Sequence, residues 1–155
     1  DLGLALEWCA KQGIDAVDIY GAFAGRLDHT LAAIQTMAGF ALRMKKPVRG
    51  IADAEQLVVL PAGSQLFVSC AGQTPEFCGL PKERRTVSVI SLSDVSQGVA
   101  IKGMKYTLDC GDLTNRCSLG LSNELVGANA SVSLKKGCLL VTLPLSQTPV
   151  FLKNA

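Results

Sequence analysis

Ile14-Asp15-Ala16-Val17-Asp18-Ile19-Tyr20-Gly21-Ala22-Phe23-Ala24-Gly25-Arg26-Leu27-Asp28-His29-Thr30 reads as a strand, a glycine-bearing loop and the opening of a helix. Val17 and Ile19 alternate with polar neighbours, which is the period of a half-buried strand, and Gly21 stops the run. Between Asp28 and Met44 the apolar positions Leu31, Ile34, Ala38 and Leu42 recur at helical spacing, until Lys45-Lys46-Pro47 supplies a basic last turn and a stop. Upstream, Leu2, Leu6 and Cys9 stand at i, i+4 and i+7 and predict a short amphipathic helix ending at Gly13. Helix, strand, loop, helix is an α/β order.

Beyond Pro47 the texture changes to short strand-like runs: Val48–Ile51, Gln56–Leu60, Ser64–Cys70, Thr86–Leu92, Val99–Ile101, Tyr106–Leu108, Ser131–Leu134 and Leu139–Leu143. Turn residues separate nearly all of them. Pro61-Ala62-Gly63 and Lys135-Lys136-Gly137 read as hairpin connections, so this part is expected to be a jelly-roll-like β-sandwich. The fold class is therefore α/β plus all-β, with residues 1–46 an incomplete α/β domain and 47–155 a β-sandwich domain. One strand and two helices cannot cover a parallel sheet on both faces. The first piece must be completed by an upstream segment, by the β-domain or by another chain.

Composition narrows the classes of function. With 155 residues, 15 Lys+Arg against 13 Asp+Glu and 48% hydrophobic residues, the chain is globular, and its charge is too balanced for a basic nucleic-acid binder. Only 5% of residues are aromatic, which weakens base stacking further, so no nucleic-acid partner is expected. No apolar run reaches the ~18–20 residues of a membrane span, so no membrane partner is expected either. Of six cysteines none form a Cys-x-x-Cys pair, and His29 is the only histidine, which argues against zinc. Cys70 and Cys138 sit among apolar neighbours as reduced core thiols do, and a reducing, cytoplasmic setting is expected; the acceptor triplet Asn129-Ala130-Ser131 alone points to secretion.

Chemistry concentrates at the loop. It lies at the carboxyl end of a strand and opens a helix, where free N–H groups and the positive dipole end favour a phosphate. Arg26 can grip phosphate oxygens bidentately, and Asp28 can bind a divalent cation or accept a proton from an attacking hydroxyl. The alternative is that Asp28 caps the helix and Arg26 is a solvated charge. His29 is read as a structural histidine. Tyr106 either stacks on a flat ring or fills the core, the second being the expectation. Trp8 is expected to pack against a missing half-domain, and Lys82, Arg84 and Arg85 to form a solvated basic edge.

The segment Gly21–Ile34 resembles the Gly-rich, Gly-Arg-(Leu/Phe)-Asp-(His/Gln) motif of thiamine pyrophosphokinases. Gly103–Leu108, Ser118–Glu124, Ala130–Ser133 and Gly137–Val141 resemble the β-domain of that family in order and spacing. The resemblance implies transfer of pyrophosphate from ATP, with magnesium, to the hydroxyl of thiamine, giving thiamine diphosphate and AMP. It implies the C-terminal part of an α/β catalytic, ATP-binding domain in residues 1–46 and a thiamine-binding, dimerising β-domain in 47–155, working as a homodimer. By matching position, Gly25, Arg26 and Asp28 serve ATP, Arg26 and Asp28 the catalysis, Asp1 and Asp28 the metal, and Ser122 with Asn123 thiamine. Ser122 and Asn123 also fit a turn at a strand end, with Asn bonding its own backbone. The family's acidic Gly-Asp-x-Asp-Ser segment has no counterpart, so the chain is expected to be the C-terminal part of such an enzyme, inactive alone. The competing class is a non-catalytic β-sandwich that binds a small molecule or dimerises.

Overall fold

A computed structural model describes residues 1–69, 85–127 and 129–153. The helices are α1 (Leu2–Lys11) and α2 (Leu27–Met44). The strands are β1 (Asp18–Tyr20), β2 (Val48–Ile51), β3 (Glu55–Pro61), β4 (Ser64–Ser69), β5 (Thr86–Ser91), β6 (Val95–Lys102), β7 (Leu108–Thr114), β8 (Asn123–Glu124), β9 (Asn129–Ser133), β10 (Cys138–Pro144) and β11 (Thr148–Lys153). They build two sheets, one ordered β1-β2-β3-β10-β5-β8 and the other β11-β4-β9-β6-β7.

The α/β stretch packs on the outer face of the first sheet. β1 pairs with β2 in parallel, Ile19 opposite Gly50, while β2 pairs antiparallel with β3. Side chains alternate across a strand, so β3 and β10 each serve two cores. Val58, Leu60, Leu139, Val141 and Leu143 face the second sheet and meet Leu66, Val68, Val99, Ile101 and Val132. Leu57, Val59, Cys138 and Leu140 face the other way and meet Leu6, Ile19, Met37, Phe40 and Ala41. Burial on both faces is why Leu57–Leu60 and Cys138–Val141 read as unbroken apolar runs. Gln56, buried in this sheet, donates through Nε2 to the carbonyls of Pro144 and Gln147 and ties β3 to the turn before β11.

Several sequence expectations are corrected here. The helices lie where the periodicity puts them, but α2 buries Ala33, Met37, Phe40 and Ala41, a different phase, and leaves Leu31 and Leu42 exposed. The helix carries two apolar stripes, and periodicity does not say which one the sheet covers. Neither Pro61-Ala62-Gly63 nor Lys135-Lys136-Gly137 closes a hairpin: β3 and β4 lie in different sheets, as do β9 and β10, so both turns carry the chain from one sheet to the other. Turn chemistry reports a reversal, not the sheet in which the next strand pairs. Tyr106 is 61% exposed rather than core. Trp8 is exposed and joins neither core, which leaves the expectation for it unaltered. Cys70, Cys78, Lys82 and Arg84 lie outside the described residues. Cys9, Cys110, Cys117 and Cys138 are free thiols, and no helix among the described residues is long and apolar enough to cross a membrane.

Candidate functional site

Two helix starts converge on one cleft of about 860 Å³, whose walls include Asp1, Gly3, Gly21, Gly25, Arg26 and Asp28. Asp1 begins α1 and caps it, Oδ1 accepting from the N–H of Gly3 at 2.8 Å and of Leu4 at 3.4 Å. α2 begins differently. Its N-cap, Arg26, has extended backbone and no side-chain cap, so the acceptor that Ser, Thr or Asp would supply from the cap position is missing. The chain reaches this point from β1 through Gly21 and Gly25, both at positive φ (75° and 82°) with nothing near a notional Cβ. Those glycines are required by the backbone angle rather than by lack of space.

Arg26 and Asp28 meet across the first turn as a fork: Nε donates to Oδ1 at 3.1 Å and a terminal guanidinium nitrogen to Oδ2 at 2.6 Å. The Arg26 guanidinium, foremost, holds the Asp28 carboxyl below its ordinary range, and the N–H of His29 adds to this. Both side chains stand largely in solvent, so the pair is cheap to open. An incoming polyanion can therefore take the guanidinium while the carboxylate turns to a cation. The structure thus brings Asp1, Gly25, Arg26 and Asp28 to one cleft. It shows that Asp28 bonds the N–H of its neighbour instead of capping from the N-cap position.

Ser122 and Asn123 lie elsewhere, and neither lines the cleft. Ser122 is exposed, holds a left-handed backbone (φ 55°) and donates its N–H to Ser88 Oγ at 3.2 Å. Asn123 is buried. Its Oδ1 accepts from the N–H of Tyr106 and of Glu124, both at 2.9 Å, and its Nδ2 donates to the Tyr106 carbonyl at 2.6 Å. An amide spent this way works as a substitute strand partner and fixes the turn that carries Tyr106. The exposed Tyr106 ring lies 5.5 Å from the Lys105 ammonium, which with Arg85 also faces the buried Glu124 carboxylate. Glu124, Lys105 and Arg85 were not legible as a cluster, because they are far apart in sequence and carry no spacing signal. Gly120 was equally silent, although its Cβ position falls 2.0 Å from the Val89 carbonyl oxygen, so only glycine lets residues 118–122 lie against β5.

Magnesium commonly takes one or two carboxylates and completes its shell with water and substrate phosphates. Asp1 and Asp28 match that donor set. No group of three or more His, Cys, Asp or Glu side chains is assembled for a metal among the described residues.

Comparison with known proteins agrees with the resemblance. Residues 78–139 match the family model described as thiamin pyrophosphokinase, vitamin B1 binding domain. Thiamine pyrophosphokinase of Bacillus subtilis (strain 168) is 28% identical over 142 residues, covering 91% of this chain and 60% of that protein. The crystal structure of a Bacillus subtilis thiamine pyrophosphokinase superimposes with a TM-score of 0.76 at 26% identity, over 93% of this chain and 62% of that one. Thiamin pyrophosphokinase from Geobacillus thermodenitrificans shares the fold, with a TM-score of 0.70 at 23% identity over 90% of this chain and 58% of that one. The chain therefore spans about three fifths of the length of these relatives.

Proposed function

We propose that this thiamine pyrophosphokinase-like chain supplies the nucleotide end and the thiamine-facing β-domain of an enzyme that moves pyrophosphate from ATP to the thiamine hydroxyl, releasing AMP. The observation that carries the reading is the Arg26–Asp28 fork beside Asp1, at two helix starts on one cleft. Attack of a hydroxyl on the β-phosphorus leaves little covalent work for a protein, so positioning and charge neutralisation dominate. Arg26 binds phosphate oxygens, the first turn of α2 releases the His29 N–H to the same anion once the Asp28 carboxylate turns away, and Asp28 with Asp1 would hold magnesium, which neutralises phosphate charge when bound. Ser122 serves thiamine through its exposed hydroxyl. Asn123 acts by holding the turn that presents Tyr106.

With one guanidinium and two carboxylates in the cleft, the reading includes no turnover by these 155 residues alone, and a homodimer as the working form. Calorimetry with magnesium–ATP tests the nucleotide end. Binding by the chain that falls at least tenfold in Arg26→Ala supports it, and equal affinity in the two overturns it. Mass spectrometry of the chain with ATP, magnesium and thiamine tests the absence of turnover, which thiamine diphosphate formation would sink. A second reading, a β-domain that binds or dimerises without chemistry, is favoured by the exposed apolar residues Tyr106, Leu119, Leu121 and Val126 around β8. Thiamine binding or dimerisation with no affinity for magnesium–ATP would select it.

A further inference from the structure

Gly50 lies in β2, buried and directly opposite Ile19 of β1. A Cβ built on it would stand 2.4 Å from two carbons of the Phe23 ring and 3.3 Å from a third. The loop that leaves β1 thus folds back across the neighbouring strand and lays its one aromatic ring where β2 has no side chain. Gly21, Ala24, Gly25 and Arg26 are exposed, Ala22 and Phe23 alone pack against the core under α2, and among the described residues no backbone hydrogen bond ties Gly21–Gly25 to another element. Glycine at 50 also costs a strand some stability, which is consistent with a site where something must approach closely.

We propose that Gly50 is a positioning residue: its bare α-carbon is the seat of the Phe23 ring, and that ring sets where the Gly21–Arg26 loop stands at the cleft. The geometry of the seat is independent of ligand. Its consequence for polyphosphate binding rests on the function proposed above. An alanine at 50 displaces the ring and moves the loop, because the atoms in the way are an aromatic ring rather than the end of a flexible chain.

Amide hydrogen exchange across Gly21–Arg26, with magnesium–ATP calorimetry alongside, tests this on the full chain. Gly50→Ala should speed loop exchange by about tenfold and weaken magnesium–ATP by a similar factor, as overpacking of this size implies. Phe23→Leu removes the three ring carbons that would clash. It should loosen the loop in the wild-type background but tighten it in the Gly50→Ala background. Unchanged exchange in Gly50→Ala, or loosening by Phe23→Leu in both backgrounds alike, overturns the proposal. Should Gly50→Ala alone not fold, folding of the double variant supports the seat and failure of both overturns it. If the wild-type chain binds no magnesium–ATP while the sign reversal is seen in exchange, the nucleotide reading falls and the positioning role of Gly50 stands.

Discussion

Asn123→Ala separates a scaffold role from direct contact with a ligand. The side chain is 3% exposed and makes three hydrogen bonds, two to the backbone of Tyr106 and one to the N–H of Glu124. A net hydrogen bond is worth about 1 kcal/mol, and a buried group left unpaired costs about 1–3 kcal/mol. Truncation orphans the buried Glu124 N–H and both polar groups of Tyr106, the latter close enough to water to recover part of the loss. The expected destabilisation is about 2–4 kcal/mol. For a chain of this size that lowers Tm by roughly 5–15 °C. Urea unfolding at constant m gives the free energy directly. Asn123→Asp is the matched control, because it keeps the acceptor but sets a second oxygen against the Tyr106 carbonyl. Its carboxyl is raised in the folded state, so its deficit against wild type should be absent at low pH and grow as pH rises above the unfolded value of about 3.9. A loss below about 0.5 kcal/mol in Asn123→Ala would rule out the scaffold role. So would weakened thiamine binding with stability intact, which would make Asn123 a ligand contact instead.

Other expectations follow from burial and charge. Met37→Ala, fully buried under the first sheet, should cost about 2–5 kcal/mol in chemical denaturation, and Leu42→Ala on the exposed stripe of the same helix under about 0.5 kcal/mol. Arg49 beside Asp18, chiefly through their hydrogen bond, holds the Asp18 carboxyl below its ordinary value. That contribution is present above the unfolded carboxyl pKa and is lost as pH falls through the lower folded value. Asp18→Asn should therefore flatten the acid limb of the stability profile, by no more than about 1 kcal/mol for so exposed a pair. Burial pushes the Cys138 thiol up to about 11. Peptide mapping after a thiol reagent at pH 8 should find Cys110 and Cys117 modified in the native chain, and Cys138 only after unfolding.

What could be read beforehand follows from range. Both helices, β1 and most strands were legible because alternation, period and punctuation are local. β11 was not, since Pro149 interrupts its pattern, yet proline is tolerated there because β11 is an edge strand. β8 was missed because it is two residues long. Sheet membership was beyond reach: Gly63 and Gly137 mark reversals, but whether β4 pairs with β3 or with β9 is decided by packing sixty residues away. The same holds for the site. The cluster of Gly25, Arg26 and Asp28 was visible because the three sit within one turn, whereas the Phe23 seat on Gly50 and the Asn123 clamp on Tyr106 join residues that only the sheets bring together.

The proposed function requires the cleft between the two helix starts to receive a polyphosphate. Titrating magnesium–ATP into isotopically labelled chain and mapping amide shifts answers this residue by residue. Saturable shifts confined to Leu2–Leu4 and Gly21–His29 are expected; no saturable shift, or one centred on the opposite end of β1 around Asp15, Lys46 and Arg49, would contradict it.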